Sequence, residues 1–354
     1  MTTSKSSCCP CSAAADESPC SCSTGARQPI EIRTTDSPIT FANRLDHFLA
    51  RWGINRMGHR VQPGLYWLGN PTPESPVFAS ANYTLSFDAL RLALAGFNAF
   101  ILVLDTKGIN VWCAAGKGTF GTDELVSRIE NVGLSGIVTH QKIIVPQLGA
   151  PGISAHDVQR QSNFKVEYGP IHARDLPAYL SKGKATPEMR RVQFPLKDRI
   201  VLIPVELVHV VLPTVITAVA LWFLAGPVAA LAAISAVVAG TVIFPILLPF
   251  IPTKDFSTKG LLLGGVVAIP FAAAFASLSA LPGWAKIIAS ITPLLIIPAV
   301  TAYLALNFTG ATTFTSRTGV RKEIFRYVPV ITIMAGTGVV LGIALGVSRL
   351  FGGI

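Results

Sequence analysis

Four stretches of this chain carry no charged residue: Val210 to Thr253, Gly260 to Ala285, Ile287 to Ser316 and Tyr327 to Ser348. Each is long enough for at least one membrane helix, which takes about 20 apolar residues. Backbone groups in hydrocarbon must be paired within their own segment, so such runs specify helices that cross a bilayer. The first run divides at Ala225-Gly226-Pro227. The sequence therefore predicts five spans, over roughly 200–224, 228–250, 261–281, 287–308 and 328–350.

Flanking charge orients the spans, because loops on the cytoplasmic side are enriched in Lys and Arg. Arg190, Arg191, Lys197 and Arg199 precede the first span. Lys254 and Lys259 lie between the second and third, and Arg317, Arg321, Lys322 and Arg326 between the fourth and fifth. The opposite ends carry Lys286 and Arg349. This pattern places the polar front half in the cytoplasm and the C-terminus outside. It also accounts for the net charge of +10 without a nucleic-acid partner. Glu206 and His209 lie at i, i+3 on one face of the first span, either as an intramembrane site or as side chains snorkelling to the interface. The hydroxyl-rich loop from Asn307 to Glu323 is either a contact surface for the soluble domain or a partner, or a polar turn.

Ahead of the spans the chain falls into two parts. Residues 1–36 are rich in Ser, Ala, Pro and Cys and read as a disordered tail. They have neither the apolar core of a signal peptide nor the Arg-rich pattern of a presequence. Residues 37–197 alternate strand and helix patterns and predict an α/β domain, leaving 198–354 for the membrane. Phe41, Leu45, Phe48, Leu49 and Trp52 mark an amphipathic helix, packed on the core or, less in keeping with a soluble domain, lying on a membrane. "SFDALRLALAG" is a helix capped by Ser86, and "TDELVSRIENVG" one capped by Thr122 and stopped by Gly133. "SPVFAS", "GIVTH", "KIIVPQLG" and "FKVEYG" are short strands. "NAFILVLDT" is a continuous apolar run, the signature of a central strand covered on both faces.

Ligands of open α/β sheets sit at the carboxyl ends of the strands, and just past that central strand comes "GINVWCAAGKGTFGTDE". It holds Cys113, the one cysteine beyond residue 22. The glycine spacing is wrong for a phosphate-binding P-loop, and no C-x-x-C is present for a zinc ribbon or a redox pair. Asn110 is a good N-cap and Gly116 a good helix stop, which puts Cys113 in the first turn of a short helix. A thiol there feels the positive end of the helix dipole, so its pKa is expected to fall. Ala114 and Ala115 leave room for a large flat group, Trp112 is placed to wall it, and Lys117 to meet a carboxamide or phosphate. The other reading is a buried structural cysteine.

"NVWCAAGKGTFGT" resembles the cap-helix motif of the membrane corrinoid proteins that methylate mercury in anaerobic microbes. These are themselves similar, in their corrinoid domain, to the corrinoid iron–sulfur protein of the acetyl-CoA pathway. "GLYWLGNPTPESPVFASANYTLSFDALR", "PQLGAPGISAHDV", "YGPIHARDLPAYL", "KATPEMRRV" and the five spans extend the likeness over most of the chain beyond the tail. The resemblance implies an α/β Rossmann-like corrinoid-binding domain with a cap helix, followed by an all-α five-helix transmembrane domain in a bacterial or archaeal cytoplasmic membrane. It implies that Cys113 is the lower axial ligand of the corrinoid cobalt, and that Asn110, Val111, Trp112, Ala114, Ala115, Gly116 and Lys117 complete the cap. By position, Asp105, Thr106, Thr139, His140, Gln147, Gly149 and Gly169 are candidates to hold the cofactor tail, or else turn and strand-end residues.

The implied activity is methyl transfer from cobalt(III) to inorganic Hg(II), forming methylmercury. A thiolate opposite the methyl group donates electron density to cobalt and suits departure of a carbanion-like methyl. The chain has no ferredoxin cysteine spacing. The family's dicluster 4Fe–4S ferredoxin would therefore supply electrons, and a methyltetrahydrofolate-linked methyltransferase the methyl group. Cys8, Cys9, Cys11, Cys20 and Cys22 lie outside the pattern of resemblance. Their soft sulfurs suit Hg(II) capture, or else the tail is idle. Two other functions stay open: a corrinoid methyl carrier of acetyl-CoA or one-carbon metabolism with a different acceptor, and a membrane heavy-metal transporter. Against the transporter, the spans contain few polar groups and no thiol or thioether pair.

Overall fold

A computed structural model describes residues 32–312 and 316–351. The front part is a six-stranded mixed sheet with helices on both faces. Its elements run β1 (Ile32–Thr35), α1 (Phe41–Arg51), β2 (Gly64–Leu68), β3 (Val77–Ala81), α2 (Thr84–Ala93), β4 (Ala99–Leu104), α3 (Val111–Lys117), α4 (Thr122–Asn131), β5 (Lys142–Val145), α5 (Ala155–Ser162), β6 (Lys165–Tyr168) and α6 (Leu176–Lys182). The strand order is β1-β2-β4-β3-β5-β6. Strands β3 to β6 are parallel, while β2 runs antiparallel to β4. Every residue of β4 is buried, as its unbroken apolar run requires. On one face Leu102 and Leu104 pack with Leu125 and Ile129 of α4 and Val158 of α5. On the other, Ile101 and Val103 pack with Phe87 of α2, Leu94 just past its end and Tyr179 of α6.

Several local expectations change. The ordered sheet reaches into the segment read as tail, since Ile32 pairs with Leu65 and Thr35 with Leu68. "GIVTH" is not a strand. Leu134–Gly136 form a 3-10 turn, and the pairing of β5 begins only at Lys142. Helix α2 starts at Thr84, two residues before the expected Ser86 cap. Thr122 opens α4 rather than capping it, its hydroxyl accepting instead from the Ser154 N–H at 2.9 Å.

Helix α1 forms where expected, but its orientation is inverted. Its polar side faces the domain. Asp46 accepts from His59 Nδ1 (2.6 Å) and Thr84 Oγ1 (2.7 Å), His47 meets Asp88 (2.7 Å), and Asn43 accepts from Arg91 (3.0 Å). Both His59 nitrogens face oxygens, Asp46 on one side and the Ile54 carbonyl on the other. Burial opposes charge on this ring, but those two acceptors outweigh it and hold its pKa above the ordinary histidine value. The apolar side of α1 is left exposed.

After α7 (Leu196–Ile200) come the apolar helices α8 (Ile203–Ala225), α9 (Pro227–Val238), α10 (Phe244–Leu247), α11 (Phe256–Ala276), α12 (Gly283–Ala311) and α13 (Arg317–Leu350). A π-helical turn, Ala239–Ile243, joins α9 to α10 as one span. Among the described residues, five helical segments are thus long and apolar enough to cross a membrane. In α11 and α12 the glycines set the spacing. A Cβ on Gly260 would stand 2.6 Å from Ala302 Cα, and one on Gly264 2.6 Å from Pro298 Cα. Small residues at such positions let membrane helices approach closely.

The segments expected on the positively charged side gather at one end of this bundle. Arg199 donates to the carbonyls of Pro245 and Ile246 (both 2.8 Å), Lys259 donates to those of Leu248 and Ile251, and Tyr327 donates to Asp255 (2.7 Å). The loop expected from Asn307 to Glu323 is mostly helix, shared between α12 and α13. Ser316 caps α13, and Glu323 accepts from the Ser257 N–H at 2.5 Å. Thr313, Phe314 and Thr315 lie outside the described residues.

Candidate functional site

The carboxyl ends of β3, β4, β5 and β6 share one edge of the sheet, and α3 sits over it. Asn82, just past β3, organises the turn after β4. Its Oδ1 accepts from the backbone N–H groups of Thr106 (3.1 Å) and Gly108 (2.9 Å), and its amide donates to Asp105 (3.1 Å). Thr106 is fully buried and its hydroxyl reaches the Ile109 carbonyl at 2.7 Å. Lys107 and Gly108 both take left-handed backbone. At Gly108 a Cβ would also strike Arg60, 2.8 Å away.

This turn delivers Asn110 as the N-cap of α3, with its Oδ1 accepting from the Cys113 N–H at 2.9 Å. The cap and helix start are as the sequence predicts, but the helix stop is not. α3 runs through Lys117 and ends at Gly118, which is left-handed with φ 84°. Ala114 and Ala115 are buried in the core rather than open to a flat ligand. Their small size admits the loop after β5, where a Cβ on Gly152 would stand 3.0 Å from Ala115 Cα. Gly116 and Lys117 are exposed, and Cys113 is half-buried.

Beside the start of α3 opens a cleft of about 280 Å³, lined by Ser80, Ser86, Val111, Trp112, Gly169 and His172 among others. His172 Nε2 is buried there without a hydrogen-bond partner. The charge environment of Cys113 differs from the helix-dipole expectation. Burial pushes its pKa up, and Lys117, the Asn110 side chain and Arg56 pull it down without cancelling that rise. Tyr83 is also pushed up by burial, and it shares the influence of Arg56 and Cys113.

The remaining candidates separate. Gly169 lines the cleft. Asp105 and Thr106 stand at the same sheet edge but are engaged by Asn82, Lys107 and Glu124. Gln147 accepts from Arg190 at 2.6 Å, tying this edge to the segment that leads to the first long apolar helix. Gly149 is a packing position, where a Cβ would stand 2.5 Å from the Phe120 ring. Thr139 and His140 lie at the amino end of β5, on the far side of the sheet, bonded to the Pro73 and Ser75 carbonyls. Cys8, Cys9, Cys11, Cys20 and Cys22 lie outside the described residues. Among the described residues no group of three or more His, Cys, Asp or Glu side chains could hold a metal ion. Asn82 and His172 were not singled out from sequence. An Asn after a short apolar run is a fair signal for a strand-end turn, whereas nothing local marks His172.

Residues 54–180 match the family of the CO dehydrogenase/acetyl-CoA synthase delta subunit. The α/β domain is related to subunits of acetyl-CoA decarbonylase/synthase complexes. The gamma 2 subunit of the complex from Methanosarcina mazei is 32% identical over 127 residues, covering 35% of this chain and 27% of that protein. The gamma subunit of Methanopyrus kandleri is 30% identical over 129 residues, or 36% and 28% of the two chains. That of Archaeoglobus fulgidus is 28% identical over 126 residues, or 35% and 26%. The match thus spans about a quarter of the length of these relatives. The family match encloses Cys113, α3 and the cleft, and it ends before the apolar helices.

Proposed function

We propose that this chain is a membrane-held methyltransferase whose α/β domain carries a cobalt corrinoid, which the Cys113 thiolate would ligate, with Hg(II) as methyl acceptor, forming methylmercury. What carries the reading is a half-buried thiol on an Asn-capped helix over the ligand-binding edge of the sheet, within the segment related to acetyl-CoA decarbonylase/synthase subunits. The residues present fit such a group. A thiolate is a soft donor suited to a late transition metal. The cleft beside it offers the unpartnered His172 Nε2 and the Ser80 and Ser86 hydroxyls for the polar periphery of a large cofactor.

When bound, the corrinoid supplies a cobalt-held methyl group. The protein's part is positional and protonic. Asn110 fixes the first turn of α3 and with it the Cys113 backbone. Burial keeps the free thiol protonated, so ligation releases that proton, as metal binding to cysteine does generally. The positive charges of Lys117 and Arg56 would favour the resulting thiolate. Lys117 is exposed on the outer side of α3. A dicluster 4Fe–4S ferredoxin as electron donor and a methyltetrahydrofolate-linked methyltransferase as methyl source complete the scheme. The five spans hold the domain at the cytoplasmic face, with the C-terminus outside.

The test is methylmercury formation from Hg(II) in an anaerobic host lacking the activity, given this chain and the ferredoxin. The intact chain should produce methylmercury and Cys113→Ala should not. Methylation by that variant would refute the ligand assignment. A second reading, a corrinoid methyl carrier of one-carbon metabolism, is favoured by the names of the relatives. It stands if the purified chain shows a sulfur-ligated corrinoid spectrum, lost in Cys113→Ala, but makes no methylmercury.

A further inference from the structure

Helix α1 presents an apolar face that nothing in the described structure covers. Phe41 is 81% exposed, Phe48 54% and Leu45 47%, with Trp52, Ile54 and Met57 continuing the strip beyond the helix. In a water-soluble domain such a helix turns this face inward. Here it cannot, because the opposite face is fastened to the domain through Asn43, Asp46 and His47. A capping box at Thr40 and Asn43 fixes the start of the helix. The exposure is therefore built in.

The position of α1 says what covers it. Just past its end, a Cβ on Gly53 would lie 3.8 Å from Val205 Cγ2, in the first turn of α8. Arg56 interacts electrostatically with Glu206 in that same turn. The strip thus abuts the point where the first span begins. Exposed arginines accompany it: Arg44, Arg51, Arg56 and Arg60. An apolar face with aromatic residues and flanking arginines is the pattern of a helix lying in the headgroup layer of an anionic bilayer.

We propose that α1 is an interfacial helix that lies on the lipid surface beside the first span, burying Phe41, Leu45, Phe48 and Trp52 among acyl chains and setting its arginines against anionic headgroups. The domain is then held by the membrane at two places, α8 and α1.

This inference rests on the five helices being membrane spans, and one experiment separates the two claims. The full chain is placed in phosphatidylglycerol-containing nanodiscs with or without brominated acyl chains, and tryptophan emission is compared between wild type and Trp52→Phe. The difference spectrum, due to Trp52, should be blue-shifted and quenched by bromine. Trp222 in α8 and Trp284 in α12 are the internal control. If they are quenched and Trp52 is not, the interfacial helix is refuted while the spans stand. If none is quenched, the membrane reading itself fails. A second variant, Phe48→Ser, should raise amide exchange across residues 41–52 in nanodiscs. Protection of this face that appears only when a soluble partner protein is added would also overturn the proposal.

Discussion

Burial and helix position act on Cys113 in opposite directions. The first turn of α3, the Asn110 cap and Lys117 favour the thiolate, yet desolvation prevails. The sign is direct: a thiol whose pKa is raised stays protonated at neutral pH and loses its proton only as pH climbs through the raised value. In the cofactor-free chain, alkylation of Cys113 by iodoacetamide should therefore be slow at neutral pH. Its rate should keep rising beyond the ordinary thiol pKa of about 8.5, as followed by mass spectrometry of its peptide. A rate that levels off below that value would contradict the burial argument. Asn110→Ala should slow the reaction at neutral pH, where the thiolate fraction limits it, and weaken the local helix by about 1 kcal/mol. Asn110, a side chain acting on a backbone three residues away, was legible in the sequence. The protonation of Cys113 was not, because it is set by segments far along the chain.

Among the elements, what was legible depended on whether the deciding contacts are local. Strand β4 and the apolar helices follow from unbroken hydrophobic runs. The end of α3 does not, since Gly116 and Gly118 are both competent stops. The choice of Gly118 goes with the Phe120 N–H bonding back to the Ala114 carbonyl at 3.2 Å. β1 has only four residues, and pairing to β2 makes it a strand. The α11–α12 contact is equally tertiary, and it gives a stability test. Gly264→Leu would push a side chain into the Pro298 backbone and should lower the thermal stability of the detergent-solubilised protein. The expected cost is about 1–3 kcal/mol or more, the usual range for overpacking. Gly265→Leu, next to it but facing open space, should leave stability nearly unchanged. Equal losses in the two variants would remove the close-approach argument.

For the whole molecule, the basic segments before α8, between α10 and α11, and between α12 and α13 meet at one end of the bundle, where Arg199, Lys259 and Tyr327 bind backbone and carboxylate partners. The charge pattern assigns that shared end to the cytoplasmic side. The reading predicts that alkaline phosphatase fused after Ile354 is active in cells and that the same enzyme fused within the 277–282 turn is active too. A fusion within 249–255 should be inactive. The reverse pattern would invert the topology and place the α/β domain outside.

Charge-free runs, flanking arginines and one Asn-capped cysteine were enough to specify five long apolar helices, an expected orientation and a candidate ligand, because each depends on composition or on neighbours within a helical turn. Only the tertiary structure decided which way α1 faces, where the cleft with His172 opens and how Cys113 holds its proton. Periodicity reveals that a helix has two faces but not which one the rest of the chain will bind. Here partly buried pairs made by Asp46, His47 and Asn43 took the polar face and left the apolar one outward.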